Sequence, residues 1–229
     1  VEGRPTSGRG AAPSGRYGAT VTWEAIFKSG VEGDDAAAYG RLVQNLRETQ
    51  DLVAAMRFDR ETVDALADDL AAWRDRLAPL ESPELEQVNG RVPSLPVRGH
   101  AMVPEFRIGS AGGGRVDGTV RFGRWFMGGG MAAHGGAVAL LFDEVLGILA
   151  SASAKAITRT AYLHTDFRAL TPVDVDLQVS AWVDRVEDRK IFLRGEIRHG
   201  DVVCAESDGL FLRLRPEQGL GRRTGDQPQ

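Results

Sequence analysis

The residues best placed to do chemistry lie between His134 and Gly147, in the run His-Gly-Gly-Ala-Val-Ala-Leu-Leu-Phe-Asp-Glu-Val-Leu-Gly. Gly135 and Gly136 open a helical segment, and Asp143 and Glu144 follow about two turns later. From His134 to Ala154 these two acids are the only residues formally charged at neutral pH, and apolar side chains occupy every side of the helix. A helix apolar all round is a buried one. Carboxylates inside it face a large desolvation cost if unpaired, so an acid there has either a hydrogen-bond partner or a function. The two acids point about 100° apart on a helix and so cannot share one role. A structural cap or pairing is the plainer alternative for either.

The elements that must hold this segment follow from composition and periodicity. The chain has 229 residues, 42% hydrophobic and 26% charged, in the range of globular proteins. A net charge of -4 gives nucleic acid or an anionic membrane no electrostatic invitation. The 134–154 segment is long enough to cross a bilayer, but a mid-helix Asp-Glu pair argues against a membrane span. Cys204 is the one cysteine, so no intrachain disulfide framework or cysteine-based zinc cluster is possible and a reducing compartment fits. His100, His134, His164 and His199 lack metal-ligand spacing. No apolar run near the start resembles a signal peptide's core, which gives the expectation of a cytoplasmic protein; without an initiator Met, residues before about Thr20 are read as a trimmed or added start.

Three regions and a tail are expected. Residues 1–34 read as a flexible tail, rich in Gly, Arg, Ser and Pro, in which Val21, Trp23, Ile26 and Phe27 could dock. Residues 35–96 read as a helical extension and linker. Leu42, Val43, Leu46, Leu52, Val53 and Met56 recur at helical spacing, as do Val63, Leu66, Leu70, Trp73 and Leu77. Asp59 is placed to N-cap the second helix, with Glu61 in its first turn. The pair predicts an αα-hairpin packed on the main body or on another subunit, closed by Pro83, Pro93 and Pro96. Residues 217–229 read as a second flexible tail.

Residues 97–216 are mostly strand apart from the one helix. Ala101–Ile108 and Arg115–Trp125 flank a turn over Gly109–Gly114, and a third strand covers 157–168. Val173–Val183 alternates without a miss, as a half-buried antiparallel strand does. Turns at Glu187–Lys190 and His199–Asp201 return the chain through Ile191–Arg198 and Val202–Leu214. This order predicts an α+β domain in which one antiparallel sheet wraps round the helix, the hotdog architecture.

The motif His134-Gly135-Gly136 with Asp143-Glu144 and Gly147, the strand Thr160-Ala161-Tyr162-Leu163 leading to Asp166-Phe167-Arg168, and the Glu206–Leu214 strand resemble the PaaI-type hotdog acyl-CoA thioesterases. The Val186–Lys190 turn is similar to that of the mammalian thioesterase-superfamily members. The resemblance covers roughly residues 100–216, about half the chain. It implies hydrolysis of an acyl-CoA to acid and CoA, with no metal and no cofactor. The Gly135 N–H would polarise the thioester carbonyl, for which a helix N-terminus with free donors is suited. Asp143 would attack the carbonyl or activate water, and Thr160 would help place that water. His134 is read as bracing the Gly135-Gly136 turn through ring hydrogen bonds. Glu144 is the second choice of base, or the partner of Arg159 or Arg168.

Gly135 and Asp143 are eight residues apart, about 12 Å along a helix axis, too far for one Asp side chain to reach the same carbonyl. The site is therefore expected to be shared across a two-fold homodimer, or a homotetramer built from it. Arg168, Arg185, Arg189 and Lys190 are the candidates for CoA phosphates. Phe142 and Leu146 are expected to line the acyl channel, with Met127 or Met131 closing it. Some relatives carry an Asn six residues before the histidine, where this chain has Gly128; the glycine run 128–130 is read instead as a flexible lid. A non-catalytic hotdog protein that binds acyl-CoA or another small ligand, with the hairpin recruiting a partner, is the alternative reading. A hotdog dehydratase lacks its Asp-His motif here.

Overall fold

The computed structural model describes residues 28–215. The expectations for the docking of Val21, Trp23, Ile26 and Phe27 and for the 217–229 tail lie outside the described residues. Six strands form one antiparallel sheet: β1 (Glu105–Gly112), β2 (Arg115–Arg121), β5 (Thr158–Phe167), β6 (Asp176–Glu187), β7 (Lys190–His199) and β8 (Val202–Arg213), in the spatial order β1-β2-β6-β7-β8-β5. Two short strands, β3 (Met127–Gly129) and β4 (Ala132–Ala133), pair separately. The sheet holds the long helix α3 (Gly135–Ala154), and two helices, α1 (Gly33–Ala55) and α2 (Arg60–Leu77), precede it. The expected α+β architecture, one sheet around one helix, is present.

Alternation sets the core. Leu177, Val179 and Ala181 of β6, Ile191, Leu193 and Ile197 of β7, and Phe211 of β8 are buried against Val138, Leu141, Phe142, Val145, Leu146 and Leu149 of α3. Full burial of each large side chain stabilises the fold by about 1.5–3 kcal/mol relative to exposure. The α3 segment is long and apolar enough to span a membrane by length and composition, and it spends that apolar surface on the sheet of its own domain.

Several element boundaries differ from expectation. β1 starts at Glu105 and runs on to Gly112, past an irregularity in register between Ile108 and Ser110. The turn shrinks to Gly113-Gly114, whose φ values of 58° and 75° suit a two-residue hairpin. β2 stops at Arg121, and Arg124–Phe126 form a 3-10 turn instead of more strand. β6 starts at Asp176 because Val173 and Asp174 donate to Met131 and Phe122 carbonyls instead of entering the ladder.

The helical extension departs most. Asp59 caps α2 as expected, its carboxylate accepting from the Thr62 N–H at 3.0 Å, and hydrogen bonding from Thr62, side chain first and backbone second, holds the carboxyl below its usual range. α2 nevertheless buries none of its residues, so the two helices do not close as a packed hairpin on the body. α1 does dock, but of its expected apolar series only Val43 is buried. Ala36 and Val43 are buried, Gly40 lies against Leu95, and Arg47 and Asp51 bond to the body, a stripe with helical spacing. Leu42, Leu52, Val53 and Met56 stay exposed.

Candidate active site

His134 N-caps α3: its Nδ1 accepts from the Gly136 N–H at 2.9 Å, while its carbonyl accepts from Ala137 and Val138. The histidine thus braces the glycine turn, as its structural reading has it. These bonds use every donor of the first turn except the Gly135 N–H, to which no described residue supplies an acceptor. A helix N-terminal donor left open in this way is suited to a carbonyl oxygen gaining negative charge.

Two turns on, Asp143 lies on the open face of α3 with Gly136, and both are exposed in the single chain. The helix is therefore buried on one side only, contrary to the all-round burial expected. Thr160, near the start of β5, donates from Oγ1 to Asp143 Oδ1 at 2.8 Å. One carboxylate oxygen is thereby fixed, and the other is left to take a proton or attack. β5 runs back along α3, so that its other end brings Phe167 beside Gly135. No bond joins Gly135 to Asp143 within the chain.

Glu144 has a different place. It is 15% exposed and paired at 2.7 Å with Arg98 of the linker, not with Arg159 or Arg168. Its role here is to tie α3 to residues 96–100, not to share Asp143's position. Val97 and Arg98 are left-handed, with φ of 43° and 55°, a costly conformation for a β-branched valine. Arg98 also donates from Nε to the Gly90 carbonyl at 2.8 Å. Arg47 from α1 joins the cluster, donating to the His100 and Val103 carbonyls and pairing with Glu105. Burial pushes the His100 imidazole below its ordinary value, and the nearby Arg98 and Arg47 charges push the same way against Glu144.

A cleft of about 460 Å³ opens at the start of α3, lined among others by His134, Gly136, Leu140, Trp125, Phe126, Met102 and Gln50 of α1. Phe142 and Leu146 do not line it. Both are 0% exposed and face the sheet, four residues apart on a stripe of the helix turned about 60–100° from Asp143. The wall of the cleft depends on Asp51 of α1, whose carboxylate accepts from the Trp125 N–H at 2.9 Å and occupies the space a Cβ on Gly123 would need. Phe126 in turn accepts from the His134 N–H at 2.7 Å, which links α1 to the glycine turn in two steps. Sequence reasoning missed Gln50, Asp51, Arg47 and Arg98; the available signal was the small and polar stripe Ala36, Gly40, Val43, Arg47, Asp51.

The glycine run is not a free lid. Gly128 and Gly129 belong to β3, the turn is Gly130-Met131, and the hairpin is tied by the Ala133 N–H to the Thr171 carbonyl at 2.7 Å. A Cβ at residue 128 would lie 3.0 Å from the His134 Cα, so backbone packing excludes the Asn of some relatives without a local shift.

Among the basic candidates, Arg168 is held by Glu206 at 2.7 Å and Asp166 at 2.8 Å, on the sheet face turned away from α3, and so is not brought to Asp143. Arg185 is paired with Asp184 and Glu187 and stacks over Phe192. Arg189 donates to the Arg213 carbonyl, opposite Thr158 in the sheet, which puts it and Lys190 at the Thr160 end of β5. Cys204 is fully buried, and burial pushes its thiol up, so it takes no part in the site.

Comparison with known proteins agrees with this geometry. Residues 131–206 match the family model described as the thioesterase superfamily. The chain is 34% identical over 87 residues to the acyl-coenzyme A thioesterase THEM4 of Bos taurus, covering 37% of this chain and 35% of that protein. It is 32% identical over 88 residues to the acyl-coenzyme A thioesterase THEM5 of Homo sapiens, covering 38% and 35%. The chain thus spans about a third of the length of these curated relatives. A crystal structure of a thioesterase superfamily protein matches with a TM-score of 0.64 and 26% identity over 76% of this chain and 94% of that one. The segment from Met131 to Glu206 thus matches the thioesterase superfamily, and the sheet wrapped round α3 has the hotdog fold of the similar solved structure.

Proposed function

We propose that this protein hydrolyses an acyl-CoA thioester to the free acid and CoA in a PaaI-type site shared between two subunits. The observation that carries the reading is the Asp143–Thr160 hydrogen bond on the open face of α3, on the same helix as the unbonded Gly135 N–H. The named relatives, both acyl-coenzyme A thioesterases, support the substrate class.

The thioester carbonyl oxygen accepts from Gly135 of one subunit, while Asp143 of the other either takes a proton from water as the oxygen adds or attacks the carbon itself, expelling the CoA thiolate and leaving an anhydride that water then hydrolyses. In the water route, the tetrahedral oxyanion is held by the Gly135 N–H, the C–S bond breaks on collapse, and the thiolate takes the proton from Asp143. Sharing is required because about 12 Å of helix separates the two groups in one chain. An antiparallel pairing of two α3 helices brings each Gly135 to the other's Asp143. The exposed helix face and the free edge of β5, side by side, are the surface this pairing would cover. In this reading the 460 Å³ cleft takes part of the substrate, and Arg189 and Lys190 remain the basic residues for CoA phosphates.

Thiol release from a panel of short aliphatic, long aliphatic and aromatic acyl-CoAs tests the proposal, beside Asp143→Asn. Turnover that falls by at least about 100-fold in a folded variant is expected for loss of a base or nucleophile. Asparagine keeps the size of the side chain and an oxygen to accept from Thr160, so the variant should stay folded, which circular dichroism checks. No release from any thioester by the folded parent would overturn the reading and leave a ligand-binding hotdog protein.

A further inference from the structure

The helix α2 has a narrow apolar seam that the chain leaves open. Val63, Leu66, Leu70, Trp73 and Leu77 follow each other at spacings of three, four, three and four residues, the a and d positions of a heptad. A globular helix that docks on a core presents a broader stripe; a strict a/d seam is the geometry of helix pairing. Leu66, Leu70, Trp73 and Leu77 are 42%, 49%, 44% and 55% exposed, and no residue of α2 is buried. Helices in proteins take most of their stability from packing an apolar face and not from propensity, so this unpacked helix of 18 residues calls for a partner along its seam.

The flanking charges say which partner. With Val63 at a, the g positions include Asp69 and Arg76, and the e positions include Ala67 and Arg74. When two copies of α2 run parallel, Asp69 at g meets Arg74 of the partner subunit at e. When they run antiparallel, Asp69 meets Arg76 of the partner subunit across the g–g contact. Either pairing sets opposite charges beside the seam and places no like charges opposite each other at these positions. The exposed stripe of α1 is the competing surface. Its members Leu42, Val53 and Met56 are exposed and Leu46 and Thr49 half-buried; of the flanking Val43, Asn45, Gln50, Leu52 and Arg57 only Arg57, past the end of the helix, is charged, and none offers an acid to Arg74 or Arg76. We infer that α2 pairs with α2 of a second copy of this chain through the seam Val63–Leu66–Leu70–Trp73–Leu77, as an assembly contact separate from the sheet and from the Asp143 face.

This contact does not rest on the proposed chemistry and can be tested without a substrate. A spin label at Asp68→Cys sits at an f position on the outer side of the pair, and the fully buried Cys204 is not labelled. Paired helices lie only about 10 Å apart, so pulsed electron resonance between copies should give one narrow distance below about 35 Å. Leu66→Glu with Leu70→Glu should abolish it while leaving the thermal transition of the sheet domain unchanged, since α2 contributes nothing to the core. Val53→Glu on the open face of α1 should leave the distance in place. A broad distribution in the parent, a distance indifferent to the Leu66/Leu70 pair, or one lost with Val53→Glu would each overturn the inference, the last by assigning the seam to α1.

Discussion

The Gly135 N–H can be removed without disturbing the helix it begins. Gly135 is the first helical residue, where proline is well tolerated because its missing N–H would have had no intrahelical acceptor. His134 has φ of -61° and ψ of 135°, the extended backbone that a following proline requires. The new Cβ lies 3.1 Å from the Phe167 ring, which must move by a few tenths of an ångström. Gly135→Pro should therefore keep the fold while lowering kcat for thioester hydrolysis by about 10²–10³, the usual loss for one oxyanion donor. Single-turnover kinetics with circular dichroism would check it; an unchanged rate would remove this donor from the proposed mechanism. The same residue-level geometry separates Asp143 from Glu144. The two adjacent acids differ because Thr160 reaches one and Arg98 the other.

At the level of elements, α1 matters to the site through two contacts that carry charge. Asp51 holds the Trp125 amide from outside the hotdog domain, so Asp51→Ala removes a charge-assisted bond worth about 1.5–3 kcal/mol and frees the wall of the cleft. Thermal melting should show the loss of stability, and the kinetics should show KM raised more than kcat lowered, with Asp51→Asn restoring both in part. The Arg98–His100 linker makes a second test. His100 is held below its unfolded value of about 6.5 by burial, so the folded state binds the proton less well than the unfolded chain. The stability this gives is complete above about pH 6.5 and is lost as pH falls toward the depressed folded value. Urea titrations from pH 7.5 to 5 should show that decline, and His100→Gln should flatten it.

For the whole molecule, the proposed shared site makes a prediction that no single-chain mechanism shares. Gly135→Pro and Asp143→Asn should each be nearly inactive as homodimers. In a mixed dimer, one of the two sites unites the intact Gly135 of one chain with the intact Asp143 of the other, and the opposite site carries both lesions. Mixing the two variants after reversible dissociation should restore activity to a substantial fraction of the parent's. Failure to do so, with mixed dimers shown by mass spectrometry, would place both groups in one chain and contradict the helix geometry. If α2 also pairs, the assembly has a second contact, and dilution should separate the two in different concentration ranges.

The sequence by itself determined the hotdog domain, because its signals are local: period-two alternation in Leu177–Ala181, glycine at the Gly113-Gly114 turn, and a capped apolar helix each act within a few residues. The same locality marked Asp59 as a cap, while His134, Gly135 and Asp143 were marked by a short motif that resembles the PaaI-type thioesterases. What only the tertiary structure decided depends on which face meets which neighbour. Periodicity marked Phe142 and Leu146 as apolar but could not say that the sheet, not the substrate, would cover them. Likewise it marked the apolar series from Leu42 to Met56 as the docking face of α1, whereas the body takes only Val43 of that series to full burial, in a stripe with Ala36, Gly40, Arg47 and Asp51. Gly40 allows close approach to Leu95, and the Arg47 and Asp51 partners lie more than fifty residues away in the chain. Long-range hydrogen bonds of that kind leave no period in a sequence, since their partners, the His100 and Val103 carbonyls and the Trp125 N–H, are backbone groups whose position exists only once the fold has formed.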